Sequence, residues 1–97
     1  MGREPDRNDM EPPESPIQYP TDFPIKILGL NEAGFEAAVT EVLRLHAPDL
    51  DLTSIEVRES RAGKYLSVTA TVNARSREQL DALYRALTSH PMVRVVL

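Results

Sequence analysis

Residues 66–80 read LSVTATVNARSREQL and predict a strand followed closely by a helix. Every second residue of positions 66–72 is apolar, which is the period of a half-buried strand. Ser76 is followed three residues later by Gln79, and this spacing is the capping box that marks a helix N-terminus. The helix then carries one apolar stripe through residues 80–87. A strand and an amphipathic helix, each with one apolar face, therefore have to pack on each other.

The same two patterns recur on the N-terminal side of this segment. Thr53, Ile55 and Val57 alternate with polar residues, and residues 60–64 join that predicted strand to the next one as a hairpin. Before them, apolar residues at three- and four-residue steps predict a helix that ends before Pro48. Asn31 stands just ahead of this stripe and is the predicted N-cap of the helix.

Two further strands are predicted at the ends of the folded region, over residues 23–30 and 92–97. The resulting order predicts an α+β fold, a ferredoxin-like βαββαβ two-layer sandwich with antiparallel sheet order 4-1-3-2. Each helix has a single apolar stripe, so both helices have to cover one sheet face and the other face stays open. The open face is predicted to carry Lys26, Leu28, Glu56, Arg58, Ser67, Thr69, Thr71, Arg94 and Val96.

Composition changes sharply near Phe23. Residues 1–24 hold six of the eight prolines and six acidic against two basic residues, whereas residues 25–97 carry no net charge. We therefore predict a disordered, acidic, Pro-rich tail over residues 1–22 and one ferredoxin-like domain over residues 23–97. A solvating extension is the favoured interpretation of the tail, and a Pro-rich docking arm is the alternative.

Nothing in the sequence predicts an enzyme. The chain has no Cys, which excludes disulfides, thiolate nucleophiles and Cys-based zinc sites. It has neither a nucleophile elbow nor a phosphate-binding loop, and His46 and His90 fall at opposite ends of the predicted domain. We expect no catalytic residue, no metal and no cofactor. The absence of an apolar run of about 18 residues or a signal peptide predicts a cytoplasmic protein without membrane contact.

Several separate segments resemble one family of proteins. They are residues 44–48 (RLHAP), 63–74 (GKYLSVTATVNA), 79–87 (QLDALYRAL) and 93–97 (VRVVL). In this order they resemble the YbeD-like family, small bacterial cytosolic proteins of unknown function. The resemblance covers residues 23–97 and implies a ferredoxin-like fold similar to ACT regulatory domains. It implies no activity and brings no catalytic residues, and the acidic tail departs from the family pattern.

The likeness to ACT domains suggests a small-ligand site at the turn between the first strand and the first helix. Gly29, Asn31 and Gly34 are the candidate residues, because glycines let a ligand approach the backbone and a helix N-terminus attracts a carboxylate. Ala33 stands where ACT turns usually have Pro, and Glu32 would repel a carboxylate.

A second candidate site is a small basic patch at the hairpin, formed by Arg58, Arg61 and Lys64. The third strand has Tyr65 but no further aromatic residue for stacking bases, and the domain is neutral, so we expect no nucleic-acid partner. The last strand is apolar on both faces, which favours a protein partner or self-association through strand 4 and the open face. We therefore predict a non-catalytic, ACT-like regulatory or protein-interaction module. The alternative is a sensor of a small, amino-acid-like effector.

Overall fold

The protein is described by a computed structural model over residues 18–97. Its elements are β1 (Thr21–Leu30), α1 (Phe35–His46), a 3-10 turn (Leu52–Ser54), β2 (Glu56–Glu59), β3 (Tyr65–Ala74), α2 (Arg77–Thr88) and β4 (Val93–Val96). The sheet order is β2-β3-β1-β4, with every pairing antiparallel, so the predicted fold class and strand order are confirmed. The predicted disorder of the tail falls mostly on residues 1–17, which lie outside the described residues.

The two long central strands set the frame of the sheet. β1 and β3 pair along their whole length, from Thr21 opposite Ala74 to Leu30 opposite Tyr65. β1 begins at Thr21 and not at Phe23 as predicted, so Pro24 lies within the strand. Lys26 exchanges both of its backbone hydrogen bonds with Leu97, so even-numbered residues of β1 direct their N–H groups toward β4. That pairing stops at Lys26, and the missing N–H of Pro24 therefore removes no bond of the sheet.

The core lies between the helices and one sheet face. Phe35, Val39 and Leu43 of α1 are fully buried against Ile27 of β1 and Val68 of β3. Each such side chain contributes about 1.5–3 kcal/mol through removal from water. The matching stripe of α2 consists of the buried residues Leu80, Leu83 and Leu87. Both predicted apolar stripes are thus on the inside, as their helical spacing requires.

The two helices begin in different ways. The Ser76 hydroxyl accepts a hydrogen bond from Gln79 N at 3.1 Å, so the predicted cap of α2 is confirmed. The predicted cap of α1 is wrong, because Gly34 is the N-cap of this helix and supplies no side chain for it. Asn31 instead uses its side chain elsewhere: Nδ2 donates to the carbonyl oxygen of Gly63 at 2.9 Å. Its own backbone N–H donates to the carbonyl oxygen of Lys64.

The segment before β2 also differs from the prediction. Thr53 belongs to a 3-10 turn, and the strand starts only at Glu56. Asp51 favours this turn, because its Oδ1 accepts bonds from both the backbone N and the hydroxyl of Thr53, at 3.0 and 2.7 Å. All four residues of β2 are exposed, so this strand is not half-buried as the alternation suggested.

A β-bulge in the last strand changes which residues of β4 lie on the open face of the sheet. Val95 lies opposite Leu28, but Val93 lies opposite Gly29, so Arg94 is the extra residue of the bulge. Val96 therefore pairs with Ile27 and packs against the core, which makes its predicted place on the open face wrong. The apolar side chains that β4 and its end present to the open face are Val95 and Leu97.

Candidate functional site

The open face of the sheet carries an apolar strip at the β1–β4 side. Leu28 and Val95 are cross-strand neighbours, and Leu97 pairs with Lys26 one row along. Val95 is 46% exposed and Leu97 is 66% exposed, although both belong to residue types that folding normally hides. We call these three residues, Leu28, Val95 and Leu97, the apolar strip. It ends at β4, which is an edge of the four-stranded sheet.

A cleft with basic walls adjoins the strip on the same face. It has a volume of about 230 Å3, and its lining includes Lys26 of β1, Arg58 of β2 and Ser67 of β3. Arg58 and Ser67 are direct cross-strand neighbours, and Leu28 lies opposite Ser67 on the other side. The floor of the cleft therefore consists of the Ser67 hydroxyl and the Leu28 side chain, and the charged residues of its lining are Lys26, Arg58 and Glu59.

The predicted basic patch is only partly gathered at this cleft. Arg58 lines it together with Tyr65, and Lys64 Nζ lies 5.6 Å from the centre of the Tyr65 ring. This distance is within the range of a cation–π contact, which keeps the Lys64 charge beside the open face. Arg61 lies in the hairpin turn and does not line the cleft. Lys26 was not among the predicted patch residues, although the alternation of β1 places it on the same face as Arg58.

The three predicted ligand-binding residues have distinct roles at the β1–α1 turn. A Cβ at Gly29 would overlap the ring of Phe35 and the carbonyl oxygen of Met92, so this glycine makes room for the core. Asn31 fastens the turn to the hairpin, as described above. Gly34 has a φ of +91°, with open space beyond it, so its backbone conformation is what requires glycine.

An open groove of about 640 Å3 does lie beside Gly34. The charged residues in its lining are Glu32, Glu36 and Glu41, and the last of these is paired with Arg44 at 2.9 Å. No lysine, arginine or histidine contributes to this lining. The groove is thus acidic, and its field opposes the carboxylate that an amino-acid effector would bring there.

The histidines and loop aspartates do not converge on one site. Gln79 Nε2 donates to the carbonyl oxygen of His46 at 2.9 Å, which places the start of α2 beside the end of α1. His90 follows the opposite end of α2, where its Nδ1 accepts from Met92 N at 3.1 Å. Within residues 18–97, no group of three or more His, Asp or Glu side chains is arranged to hold a metal ion.

Asp49 and Asp51, in the loop after α1, both make contacts within the protein. Asp49 forms an ion pair with Arg75, which ties this loop to the start of α2. The side-chain and backbone hydrogen bonds from Thr53 hold the pKa of Asp51 below its ordinary value of 3.8. Both roles are structural. Across the described part of the chain, neither helix has the length and apolarity that crossing a bilayer demands.

The fold is similar to that of a solved ACT domain. The ACT domain from the GTP pyrophosphokinase of Chlorobium tepidum superposes with a TM-score of 0.62, covering 79% of this chain and 97% of that domain. The two sequences are 20% identical, so the likeness concerns the fold. An ACT-like, ferredoxin-like domain is therefore the class to which this architecture belongs.

Sequence relatives identify the family. A UPF0250 protein of Nitrosomonas europaea is 55% identical over 84 residues, which is 87% of this chain and 97% of that protein. One from a Janthinobacterium species is 53% identical over 90 residues, 93% of this chain and 99% of the relative. The family described as "Protein of unknown function (DUF493)" matches residues 14–97. The chain belongs to this DUF493/UPF0250 family, which confirms the resemblance to YbeD-like proteins and the bacterial character of the relatives.

Proposed function

We propose that this protein is a non-catalytic regulatory or protein-interaction module, with the apolar strip and the adjacent edge of β4 as its interaction surface. The observation that carries the proposal is the exposure of Val95 and Leu97 beside Leu28. Exposed apolar residues next to an unpaired strand edge favour contact with another chain. The cytoplasmic location stays a prediction.

The two edges of the sheet differ in how well they resist such contact. β2 has the sequence EVRE, in which three of four residues are charged, and this charge discourages a second strand from pairing with it. β4 has the sequence VRVV, with Arg94 as its one charged residue. A second copy of this chain is the partner we propose, since a twofold arrangement would place one apolar strip on the other.

The support for a non-catalytic role is the separation of the reactive side chains. His46 and His90 lie at opposite ends of α2, and the carboxylates of Asp49 and Asp51 are engaged in structural contacts. The ACT-like fold agrees with a regulatory role by analogy alone.

Sedimentation velocity over a range of protein concentrations tests the proposal. We expect reversible association that Val95→Glu weakens at least about tenfold, because a carboxylate in an apolar contact is poorly solvated. Leu45→Glu is the matched control, since Leu45 is 65% exposed on α1, away from the sheet. A chain that stays monomeric at millimolar concentration, or that responds equally to both variants, would contradict self-association.

A sensor of a small effector at the β1–α1 turn remains the alternative function. The three carboxylates of the neighbouring groove favour a cationic group there over an amino-acid carboxylate. Titration of the 15N-labelled chain with amino acids, with putrescine and with succinate tests the sensor and separates a cationic from an anionic effector. Shifts confined to residues 29–35 would support the sensor, and no shift with any of these compounds would count against it.

A further inference from the structure

The polar part of the open face carries both signs of charge. Two basic and two acidic side chains lie on it: Lys26, Arg58, Asp22 and Glu56. Glu56 and Arg58 are exposed neighbours on β2, and within residues 18–97 neither of them forms an ion pair. A partner that fits this surface therefore has to offer an anion and a cation at matching positions.

The strand pairing arranges this face in rows that run across the sheet from β2 to β4. The first row consists of the cross-strand neighbours Arg58, Ser67, Leu28 and Val95. The second row, two residues away on every strand, consists of Glu56, Thr69, Lys26 and Leu97. The two rows are about 6.8 Å apart. Each row thus has a charged residue at its β2 end and an exposed apolar residue at its β4 end.

A twofold axis that runs across the sheet, between the two rows, makes this face complementary to itself. Each row of one copy then faces the other row of the second copy. Arg58 faces Glu56 of the second copy, and the same pair recurs on the other side of the axis, as an isologous contact requires. Stacked sheets lie about 10 Å apart, a gap that an arginine and a glutamate can bridge. At the β4 end, Val95 faces Leu97 of the second copy. We propose that two copies of this chain stack face to face in this register.

The middle of the two rows is compatible with this stacking. Ser67 faces Thr69 of the second copy, so that one hydroxyl can donate a hydrogen bond to the other. Lys26 faces Leu28 of the second copy and can lay its aliphatic stem on that leucine. The Lys26 ammonium then stays in the hydrated basic cleft, whose lining already includes this residue. No two like charges are placed opposite each other in either row.

The open face is large enough for a reversible dimer. β1 and β3 have ten residues each, and β2 and β4 have four each. At the rise and spacing of antiparallel strands, the face measures about 440 Å2 in projection, or about 900 Å2 over two copies. Projecting side chains raise the accessible area above this value, which brings the contact to the range of about 1,000 Å2 where specific interfaces begin. Pairing of two β4 edges would bury less, because β4 is short.

This inference rests on the proposed function, since it states how the second copy lies on the interaction surface. It adds one requirement that the proposed function does not make. β2 lies at the opposite edge of the sheet from β4, and in the stacked dimer it takes part in the contact. If the copies met through their β4 edges or through the apolar strip alone, β2 would lie outside the interface. Charge variants on β2 therefore distinguish the stacked dimer from other arrangements.

Charge exchange on β2, followed by sedimentation velocity, tests the register. Glu56→Arg and Arg58→Glu should each weaken dimerisation at least about fivefold, because like charges then face each other on both sides of the axis. Glu56→Arg combined with Arg58→Glu restores both ion pairs and should return the dissociation constant to within about twofold of the native value. Glu78→Arg and Arg85→Glu on the exposed surface of α2 make the same changes in net charge and are the matched controls. Circular dichroism of each variant verifies that the fold is kept.

The outcomes separate this inference from the proposed function. Equal effects of the β2 and α2 variants, or a combined β2 variant that stays as weak as the single ones, would overturn the stacked arrangement. If Val95→Glu still weakens association in that case, the proposed function stands and only this inference fails. A chain that stays monomeric contradicts both.

Paramagnetic relaxation between copies measures the arrangement directly. The chain has no cysteine, so Thr71→Cys gives a single site for a nitroxide label on the open face, outside both rows. Labelled chain without 15N is mixed with 15N chain without label. We expect selective broadening of the Tyr65 amide in the 15N copy, because the twofold axis places Tyr65 opposite Thr71 of the labelled copy. The amides of Ala37 and Glu41 on α1 should keep their intensity. Broadening centred on Val93–Val96 instead would mean pairing of β4 edges and would overturn the face-to-face stacking.

Discussion

Asn31 donates a side-chain hydrogen bond from Nδ2 to the carbonyl oxygen of Gly63 at 2.9 Å, across 32 positions of the sequence. The backbone N–H of Asn31 adds a second bond to the neighbouring carbonyl of Lys64 at 2.9 Å. The β1–α1 turn and the β2–β3 hairpin are thereby fastened to each other. Because the hairpin leads into β3 at Tyr65, this fastening also fixes one end of the basic cleft.

Asn31→Ala should lower the free energy of unfolding by about 1 kcal/mol, the contribution of one such hydrogen bond. Urea unfolding monitored by circular dichroism measures this change. Glu32→Ala is the control, since Glu32 is the next residue and is exposed. An effect of Asn31→Ala no larger than that of the control would show that the bond to Gly63 does not hold the hairpin.

The glycines of this turn should respond to alanine for different reasons. Gly29→Ala should destabilise the fold by about 3 kcal/mol, because the added methyl meets the Phe35 ring and the immobile carbonyl of Met92. Gly34→Ala should destabilise it by about 1–2 kcal/mol, because only its positive φ opposes a side chain. Thermal unfolding of both variants shows which substitution destabilises the fold more. A larger effect at Gly34 would contradict the steric role assigned to Gly29.

Local sequence patterns were sufficient to predict the order of the helices and strands. The capping pair Ser76 and Gln79 lies within four residues, so its meaning does not depend on distant contacts. Asn31 carries an equally good capping side chain, but its hydrogen-bond partner is Gly63, which the local sequence cannot reveal. The true N-cap, Gly34, has no capping side chain and is recognised only from its backbone angles.

The candidate site depended on register, which the sequence determines less directly. The run VRVV has apolar residues in both phases, and the bulge at Arg94 selects the register that exposes Val95 and packs Val96 against the core. Lys26 and Arg58 are both on the face that alternation predicted, yet they are 32 residues apart. Their positions on either side of β3, with Lys26 opposite Thr69 and Arg58 opposite Ser67, follow only from the pairing of β1 and β2 with β3.

Two leucines of α1 provide a matched test of the core. Leu43 is fully buried, whereas Leu45, two positions along the same helix, is 65% exposed. Leu43→Ala should lower the free energy of unfolding by about 2–5 kcal/mol through lost burial and the cavity left behind. Leu45→Ala should change it by less than about 0.5 kcal/mol. Chemical denaturation of both variants measures the difference, and similar values would contradict the orientation of α1.

The hydrogen bonds to Asp51 predict a pH dependence with a definite sign. The hydrogen bonds from Thr53 lower the folded-state pKa of Asp51 below 3.8, so its ionised form is favoured by folding. The stabilisation of the folded state by the ionised Asp51 is fully present above the unfolded-state pKa. It is lost as the pH falls through the folded-state pKa.

Titration of the Asp51 carboxyl carbon by NMR measures this pKa, and Thr53→Val should raise it toward 3.8 because the hydroxyl bond is removed. In parallel, the stability difference between the native chain and Asp51→Asn should shrink as the pH falls below about 4. Thr71→Val is the control, since Thr71 is an exposed threonine on β3, remote from this turn. A pKa of Asp51 that Thr53→Val leaves unchanged would show that the hydroxyl does not stabilise the carboxylate.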